Sequence, residues 1–317
     1  MRYISVAETA KKWGLTDRMV RRYCSEGRVP GAFMTGKTWN IPLDASPPGR
    51  VLPTASEISD GLCFRIVRSE REDVKISGID LLSILKEERN AKLKGGIYHK
   101  VQIGLTYNSN HIEGSKLTED QTRRIFETNT IGTEDGDVDI DDIVETVNHF
   151  RCIDHIIDNA EKELTEEMIK TLHLMLKTGT SDSGRSWFKV GDYKLRPNEV
   201  GGEETCHPAD VGRKMKELLN EYNSISSKTV DDIIDFHHRF ERIHPFQDGN
   251  GRVGRLIMFK ECLSNGIVPF IVGEEYRWYY YRGLKEWEME RGFLRDTCLA
   301  AQDEFRKWLA YFEIDLS

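Results

Sequence analysis

The stretch from His244 to Arg255, HPFQDGNGRVGR, brings a base, a carboxylate, a glycine-rich turn and two guanidinium groups together within twelve residues. The turn Gly249-Asn250-Gly251 runs directly into an apolar segment that favours a helix. A turn of this kind leaves backbone N–H groups unpaired at the positive end of a helix, where phosphate binds well. The stretch therefore predicts an anion-binding site at residues 249–251.

The side chains around this turn suit the chemistry of a nucleoside triphosphate. His244 precedes the turn, so its imidazole can accept a proton from a hydroxyl that enters the site. Asp248 at the edge of the turn can hold Mg²⁺ or Mn²⁺ that already carries phosphate oxygens. Arg252 and Arg255 lie three residues apart and share a helix face, from which both guanidinium groups can reach phosphate oxygens. Together these residues predict a site that holds and cleaves a nucleoside triphosphate.

The complete motif H-x-F-x-D-G-N-G-R-x-x-R resembles the signature of the Fic (filamentation induced by cAMP) family. The resemblance implies an enzyme that transfers AMP from ATP to a Ser, Thr or Tyr hydroxyl of a protein and releases pyrophosphate. It implies that His244 is the general base and Asp248 the metal ligand. It also implies that residues 249–251, including Asn250, form the anion hole, that Arg252 steadies the phosphates and that Arg255 reaches the γ-phosphate.

A second segment, Ser109-Asn110-His111-Ile112-Glu113-Gly114, resembles the inhibitory pattern of the same family. A Glu at a helix end that pairs with Arg255 occupies the guanidinium that the γ-phosphate needs, so ATP would bind unproductively. Because the segment precedes the catalytic motif, the resemblance implies the class whose inhibitory helix lies upstream in the same chain. In another metal-bound state, Glu113 is expected to position a water that removes AMP. The alternative is that Glu113-Gly114 is only an ordinary helix end, since Gly is preferred after a helix C-terminus.

Residues 188–202 alternate and turn in the manner of a β-hairpin, which resembles the flap on which the family docks its targets. An exposed strand edge there would pair with a segment of a target protein, or of the chain itself, and bring a hydroxyl to His244. An ordinary loop between helices is the alternative. Further along, Tyr280 and Tyr281 resemble the family's aromatic segment near the adenine of ATP, although such pairs are also common in cores.

The first fifty residues are basic, with nine Lys and Arg against four Asp and Glu, whereas the rest of the chain is acidic. Residues 6–14 predict a short helix ended by Gly, residues 17–26 a second helix, and residues 29–42 a small hairpin. Together these resemble the winged helix of MerR-like regulators and excisionases, which implies DNA binding through the second helix. A small helical packing domain with solvated arginines is the alternative. The residues that would contact DNA are Arg18, Arg21 and Arg22.

The fold class predicted is mainly α: a Fic-type helical bundle with a catalytic loop and a small β-hairpin flap, preceded by a small winged helix-turn-helix domain. The predicted boundaries are 1–45 for the winged helix, 46–77 for a linker and 78–317 for the Fic domain with its upstream inhibitory helix. Helical periodicity predicts helices over residues 140–157, 166–176, 211–222, 230–242 and 276–312.

Composition predicts a soluble cytoplasmic protein. Hydrophobic residues make up 38% and charged residues 31% of the chain, and no run of eighteen apolar residues is present to cross a membrane. The first residues carry no signal-peptide core, and the six cysteines contain no C-x-x-C pair, which favours reduced thiols. We expect no membrane partner, and a homodimer is left open.

Three other functions stay open. His237, His238 and His244 fall close together and with Asp248 would suit a metallohydrolase, although the first two point to adjacent faces of a helix. The chain would alternatively be a DNA-binding transcriptional regulator whose Fic body senses nucleotide or modifies itself. Relatives of the family also transfer phosphate or phosphocholine, and the intact Arg255 favours AMP without excluding these groups.

Overall fold

The computed structural model describes the chain in the ranges 3–13, 20–21, 23–24, 29–35, 38–46, 80–132 and 137–315. The chain divides into two compact units between residues 74 and 75. Each unit has buried hydrophobic residues of its own.

The N-terminal unit combines a short helix with a small antiparallel sheet. Its elements are β1 (Tyr3–Ile4), α1 (Val6–Trp13), β2 (Phe33–Thr35) and β3 (Thr38–Pro42). β3 is the central strand and pairs with both β1 and β2. Val6 and Ala10 of α1 pack with Ile41 of β3 in the core of this unit. The predicted first helix and hairpin are therefore confirmed.

The second N-terminal helix, predicted over residues 17–26, is described only in part. Val20 and Cys24 are helical and buried, and Arg21 is helical and exposed. Arg18 and Arg22 lie outside the described residues, and so does the predicted linker at 46–77 beyond its first residue. The prediction that these arginines contact DNA stays a prediction.

The described part of the second unit is built mainly from α-helices. In chain order they are α2 (Leu81–Asn90), α3 (Ile97–Ile112), α4 (Glu119–Thr128), α5 (Ile140–Asp158), α6 (Glu166–Lys177), α7 (Pro208–Asn223), α8 (Val230–Ile243), α9 (Asn250–Ser264), α10 (Arg277–Glu286) and α11 (Gly292–Tyr311). Thr118, Thr165 and Thr229 cap the N-termini of α4, α6 and α8, because each hydroxyl accepts a hydrogen bond from the backbone N–H three residues later. The periodicity of the sequence predicts α5 to α8 to within three residues at either end.

The C-terminal run, predicted to be helical over 276–312, is two helices. α10 ends at Glu286 and α11 begins at Gly292. The helices approach so closely that a Cβ on Gly283 would lie 2.6 Å from the Cα of Leu294. The chain therefore reverses between them, and the side chain of Trp287 is buried at the reversal.

α9 is the central helix of the second unit. Every residue from Arg252 to Leu263 is buried, and its apolar side chains belong to both of the larger hydrophobic cores. A helix buried on all sides has its position fixed by its neighbours. Four helices pack against α9, namely α3, α5, α6 and α8.

Two further features concern the described residues as a whole. None of the helices in the described ranges combines the length and the apolar character that a membrane span requires. Cys24, Cys152, Cys206, Cys262 and Cys298 are buried free thiols. Cys63 lies outside the described residues.

Candidate active site

The motif HPFQDGNGR forms the loop between two helices and the first residues of the second helix. α8 ends at Ile243, and His244 follows in the left-handed conformation (φ 51°), with its N–H donating to the carbonyl of Phe240 at 2.8 Å. Gly249 ends the loop, also with a left-handed φ of 82°, and α9 begins at Asn250. A residue without a Cβ adopts this conformation at little cost, so Gly249 suits the sharp entry into α9.

Asn250 fixes the shape of the 244–249 loop. Its Oδ1 accepts a hydrogen bond from the N–H of Phe246 at 2.8 Å, and its Nδ2 donates to the carbonyl of Phe246 at 2.9 Å. The Phe246 ring is buried and stacks on His173 of α6, with ring centroids 4.0 Å apart. The side chain of Asn250 is therefore committed to the loop, and what Asn250 can offer an anion is its backbone N–H.

Arg255 is held by the end of α3. Its Nε donates to Ser109 Oγ at 3.0 Å, and its Nη2 donates to the Ser109 carbonyl at 2.8 Å and to Glu113 Oε1 at 2.7 Å. Although burial opposes the charged form, Glu113 and Tyr280 raise the pKa of Arg255 above its usual value. The two segments singled out in the sequence, 109–114 and 244–255, thus meet at one ion pair.

Glu113 lies directly over the turn that begins α9. α3 ends at Ile112, and Gly114 has a positive φ of 104° that turns the chain away. A Cβ on Gly251 would lie 2.2 Å from Glu113 Oε1 and 2.9 Å from Arg255 Nη1. The carboxylate therefore occupies the place at the helix N-terminus that suits an anion. Glycine at position 251 leaves room for this close approach.

A largely buried network of charges lies beside the loop. Glu145 of α5 contacts Lys177 of α6 at 2.5 Å and also contacts Arg252 of α9. Lys177 Nζ and Arg252 Nη2 both contact Asp248 Oδ2, at 2.6 and 3.2 Å. The sequence predicts Asp248 and Arg252 as site residues but misses Glu145 and Lys177, because these two lie on helices that carry no recognisable motif.

Asp248 has the chemistry of a metal ligand. Its side chain is 48% exposed. Although burial opposes ionisation, Arg252 and Lys177 hold the pKa of the Asp248 carboxyl well below its usual range. Mg²⁺ is commonly held by one or two carboxylates together with substrate phosphates and water. An ionised, accessible carboxylate beside an anion site fits that requirement.

The histidines of the metallohydrolase alternative do not come together as a metal site. His237 is buried, its Nε2 is 2.5 Å from the hydroxyl of Tyr280, and burial lowers its pKa to about 4. His238 Nδ1 instead faces Glu288 Oε1 at 3.8 Å. Within the ranges that the structure describes, no group of three or more His, Cys, Asp and Glu side chains is arranged to hold a metal ion.

A cleft of about 430 Å³ opens between residues 200–205, α8 and α10, and Glu241 contributes to its wall. Tyr281 lines this cleft, and its hydroxyl donates to the carbonyl of Ile112 at 3.1 Å. Tyr280 does not line it, because its side chain is buried and its hydroxyl contacts His237. Adjacent residues on a helix point in different directions, so only Tyr281 of the predicted pair faces the cleft.

The observed hairpin is shorter than the one predicted over residues 188–202 and lies later in the chain. Its strands are β4 (Glu199–Val200) and β5 (Glu203–Glu204), which pair around Gly201-Gly202. Residues 188–198 form turns and bends. Their polar groups bond to the 244–249 loop rather than to a second strand, since Asn198 Nδ2 donates to the carbonyl of Phe246 at 3.0 Å.

Lys194 ties the base of this flap to the end of α8. Its N–H donates to the carbonyl of Pro245 at 2.9 Å. Its Nζ donates to Asn198 Oδ1 at 2.7 Å, Thr205 Oγ1 at 2.6 Å and the carbonyl of Ile243 at 3.4 Å. Burial lowers the pKa of Lys194 to about 8. The flap and the residues that flank His244 therefore hold each other in place.

Comparison with known proteins finds relatives for the helical unit. Residues 163–262 match the model of the Fic/DOC family. Protein adenylyltransferase Fic of Drosophila virilis is 29% identical over 218 residues, which is 65% of this chain and 41% of that protein. The same protein of Drosophila persimilis is 30% identical over 65% of this chain and 40% of its own length. The chain thus spans about 40% of the length of these curated relatives.

Solved structures share the fold. A Fic domain containing signaling protein from Bacteroides thetaiotaomicron is 26% identical and has a TM-score of 0.54, covering 74% of this chain and 92% of that one. Fic-1 from C. elegans, at 19% identity, has a TM-score of 0.57 over 73% of this chain and 71% of that one, which shows the fold alone. The family match, the adenylyltransferase relatives and the shared fold together support a protein of the Fic family.

Proposed function

We propose that this chain is a protein adenylyltransferase that moves AMP from ATP to a Ser, Thr or Tyr hydroxyl of a protein, and that Glu113 restrains it. The observation that carries the proposal is the pair of Glu113 and Arg255, with the carboxylate lying over Gly251 at the start of α9. The Drosophila relatives bear the name protein adenylyltransferase, which supports the same chemistry.

His244 would act on the attacking hydroxyl. The hydroxyl oxygen bonds to the α-phosphorus of ATP, the bond from that phosphorus to the β-bridging oxygen breaks, and pyrophosphate leaves. His244 takes the hydroxyl proton. Backbone N–H groups of residues 249–251 would hold the phosphate oxygens at the helix N-terminus.

Arg252 and Asp248 would complete the phosphate site. The Nε of Arg252 is buried and has no hydrogen-bond acceptor in the described part of the chain. Its N–H would therefore be available to donate a hydrogen bond to a phosphate oxygen. Asp248 would hold Mg²⁺, whose chemistry here is to neutralise charge on the phosphates. The cleft lined by Tyr281 would take the nucleoside.

The restraint would act by competition for one cation. The γ-phosphate must displace Glu113 from Arg255, and a charge-assisted hydrogen bond of this kind contributes about 1.5–3 kcal/mol. That range corresponds to about 10- to 100-fold in an equilibrium constant. With a nucleotide and metal bound differently, Glu113 would accept a proton from a water that removes AMP from the modified protein.

The target would dock on the flap. Glu199, Val200, Glu203 and Glu204 are exposed, and among the described residues β4 and β5 pair only with each other, so an edge of this hairpin would be open to an extended segment. The target is another protein or the chain itself.

Label transfer tests the reaction class. The Glu113→Gly variant should become labelled, or label a target, from ATP carrying ³²P at the α-phosphate and not from ATP carrying it at the γ-phosphate. His244→Ala in the same background should abolish labelling and retain nucleotide binding, because the base acts on the hydroxyl. Label from the γ-phosphate would identify a phosphotransferase instead.

A DNA-binding regulator is the second candidate function. The exposed Arg21 on a helical segment and the β2–β3 hairpin favour it. Arg21→Ala should weaken binding of the full chain to duplex DNA, with wild-type affinity falling steeply as salt rises. Arg213→Ala on α7 is the control for loss of an exposed charge. Equal DNA binding by the wild type and both variants would remove this candidate.

A further inference from the structure

Glu241 and His244 lie one helical turn apart at the end of α8, with little exposure to solvent. Their side chains are 13% and 15% exposed, and Glu241 Oε2 is 3.6 Å from His244 Nδ1. In the described structure, His244 Nδ1 is buried without a hydrogen-bond acceptor, and Glu241 Oε1 is buried without a donor. Catalytic hydrogen bonds are often long before substrate binds and shorten afterwards. The Nδ1–H of His244 is therefore placed to donate a hydrogen bond to the Glu241 carboxylate.

The other ring nitrogen of His244, Nε2, is the less buried of the two. Among the described residues, Nδ1 is buried without a hydrogen-bond partner, whereas Nε2 is not among the buried, unpaired atoms and makes no hydrogen bond. A neutral imidazole carries its proton on one nitrogen and accepts with the other. Whichever group contacts Nδ1 therefore decides whether Nε2 can accept a proton.

Glu241 is surrounded by groups that favour its ionised form. These groups are His244, His237 of α8 and Arg255 of α9. Although burial opposes ionisation, contact with His244 and the nearby His237 and Arg255 lower the pKa of Glu241. An ionised carboxylate is a hydrogen-bond acceptor only.

We propose that Glu241 is a positioning residue that keeps the proton of His244 on Nδ1 and leaves Nε2 free to accept. This inference rests on the proposed role of His244 as a base. As the hydroxyl oxygen bonds to the α-phosphorus and pyrophosphate leaves, the hydroxyl proton moves to Nε2. His244 then carries a proton on each nitrogen, and the Glu241 carboxylate stabilises this imidazolium.

The tautomer can be measured directly in the full chain. Two-dimensional ¹H–¹⁵N spectra of the histidine rings, recorded at about pH 8 where an ordinary imidazole is neutral, distinguish Nδ1–H from Nε2–H. The His244 signals are assigned by their loss in His244→Ala. The wild type should show His244 with its proton on Nδ1. Glu241→Gln should shift the population toward Nε2–H, because the amide can donate to Nδ1.

Kinetics in the Glu113→Gly background provide the second readout. Glu241→Gln should lower kcat on the order of 100-fold, with a much smaller change in KM for ATP, and Glu241→Asp should recover part of kcat. Glu288→Gln, which alters the carboxylate facing His238, is the matched control and should change neither kcat nor the His244 tautomer.

A proton on Nε2 of His244 in the wild type would overturn the inference. So would a Glu241→Gln protein that keeps the wild-type tautomer and kcat. If His244→Ala still transfers AMP, the proposed base is wrong, and the tautomer spectra report on Glu241 independently of that failure.

Discussion

Glu113 Oε1 and Arg255 Nη2 are 2.7 Å apart although the two residues are separated by 142 positions in the chain. Ser109, one helical turn before Glu113, accepts two more hydrogen bonds from the same guanidinium. The guanidinium of Arg255 is therefore held by the backbone carbonyl of Ser109 and by the side chains of Ser109 and Glu113. Movement of the Glu113 side chain breaks only one of these three contacts, so full release of Arg255 also requires the Ser109 contacts to break.

Ser109→Ala should weaken this attachment without removing it. The variant loses the acceptor of Arg255 Nε and keeps the carbonyl that accepts from Nη2. One hydrogen bond to a charged group contributes about 1.5–3 kcal/mol at most, and the remaining contacts limit the effect, so we expect AMP transfer to rise several-fold. Ser115→Ala, just beyond the helix, is the control. A Ser109→Ala protein no more active than Ser115→Ala would show that this contact does not hold the restraint.

Glu145 should be important for stability, because it neutralises two buried cations. Glu145→Ala leaves Lys177 and Arg252 with Asp248 as their remaining carboxylate contact. Breaking a buried ion pair from one side typically costs about 3–5 kcal/mol. Urea unfolding monitored by circular dichroism measures the loss.

The exposed pair of Arg213 and Glu217 on α7 is the matched control. Glu217→Ala should cost about 1 kcal/mol or less, since exposed pairs contribute little. Equal losses for Glu145→Ala and Glu217→Ala would contradict the structural role given to Glu145.

Stability should fall on acidification because buried histidines resist protonation. Burial lowers the pKa of His149 and His173 to about 3 and that of His237 to about 4. In the unfolded chain a histidine has a pKa of about 6.5. As the pH falls below about 6.5, the unfolded state binds protons that the folded state does not, so each such histidine removes about 1.4 kcal/mol per pH unit.

His237→Gln tests this dependence. The variant should lose one such contribution, so its free energy of unfolding should fall less steeply between about pH 6 and pH 4.5 than that of the wild type, by about 1.4 kcal/mol per unit. Urea titrations across that range measure both slopes. Parallel slopes would mean that His237 is protonated in the folded protein.

The sequence predicts much of the fold because its signals are local. Helical periodicity locates α5 to α8, and the glycines of the HPFQDGNGR motif locate the loop before α9. The contact of Glu113 with Arg255 is also predicted, because a family pattern marks both residues. The break between α10 and α11 is not predicted, since it depends on the close approach of Gly283 to Leu294 in three dimensions.

The remaining site residues depend on packing between distant segments. Glu145 and Lys177 are brought to Asp248 by α5 and α6, and neither helix carries a signal for that role. Residues 188–198 have the alternation of a strand, but hydrogen bonds from Lys194 and Asn198 to the 244–249 loop replace strand pairing. Glu241, in contrast, could have been found from the sequence, because it lies three residues before His244 and this spacing places both side chains on one face of a helix end.

Initial rates of AMP labelling test most directly whether Glu113 restrains an AMP transferase. Wild type, Glu113→Gly, and Glu113→Gly combined with His244→Ala are incubated with Mg²⁺ and ATP labelled with ³²P at the α-phosphate. Initial rates of label incorporation into protein are compared.

Loss of a charge-assisted pair worth about 1.5–3 kcal/mol predicts labelling by Glu113→Gly about 10- to 100-fold faster than by the wild type. The double variant should incorporate none. Equal rates for Glu113→Gly and wild type, with the double variant still inactive, would contradict the restraint, and labelling by the double variant would contradict the enzyme mechanism itself.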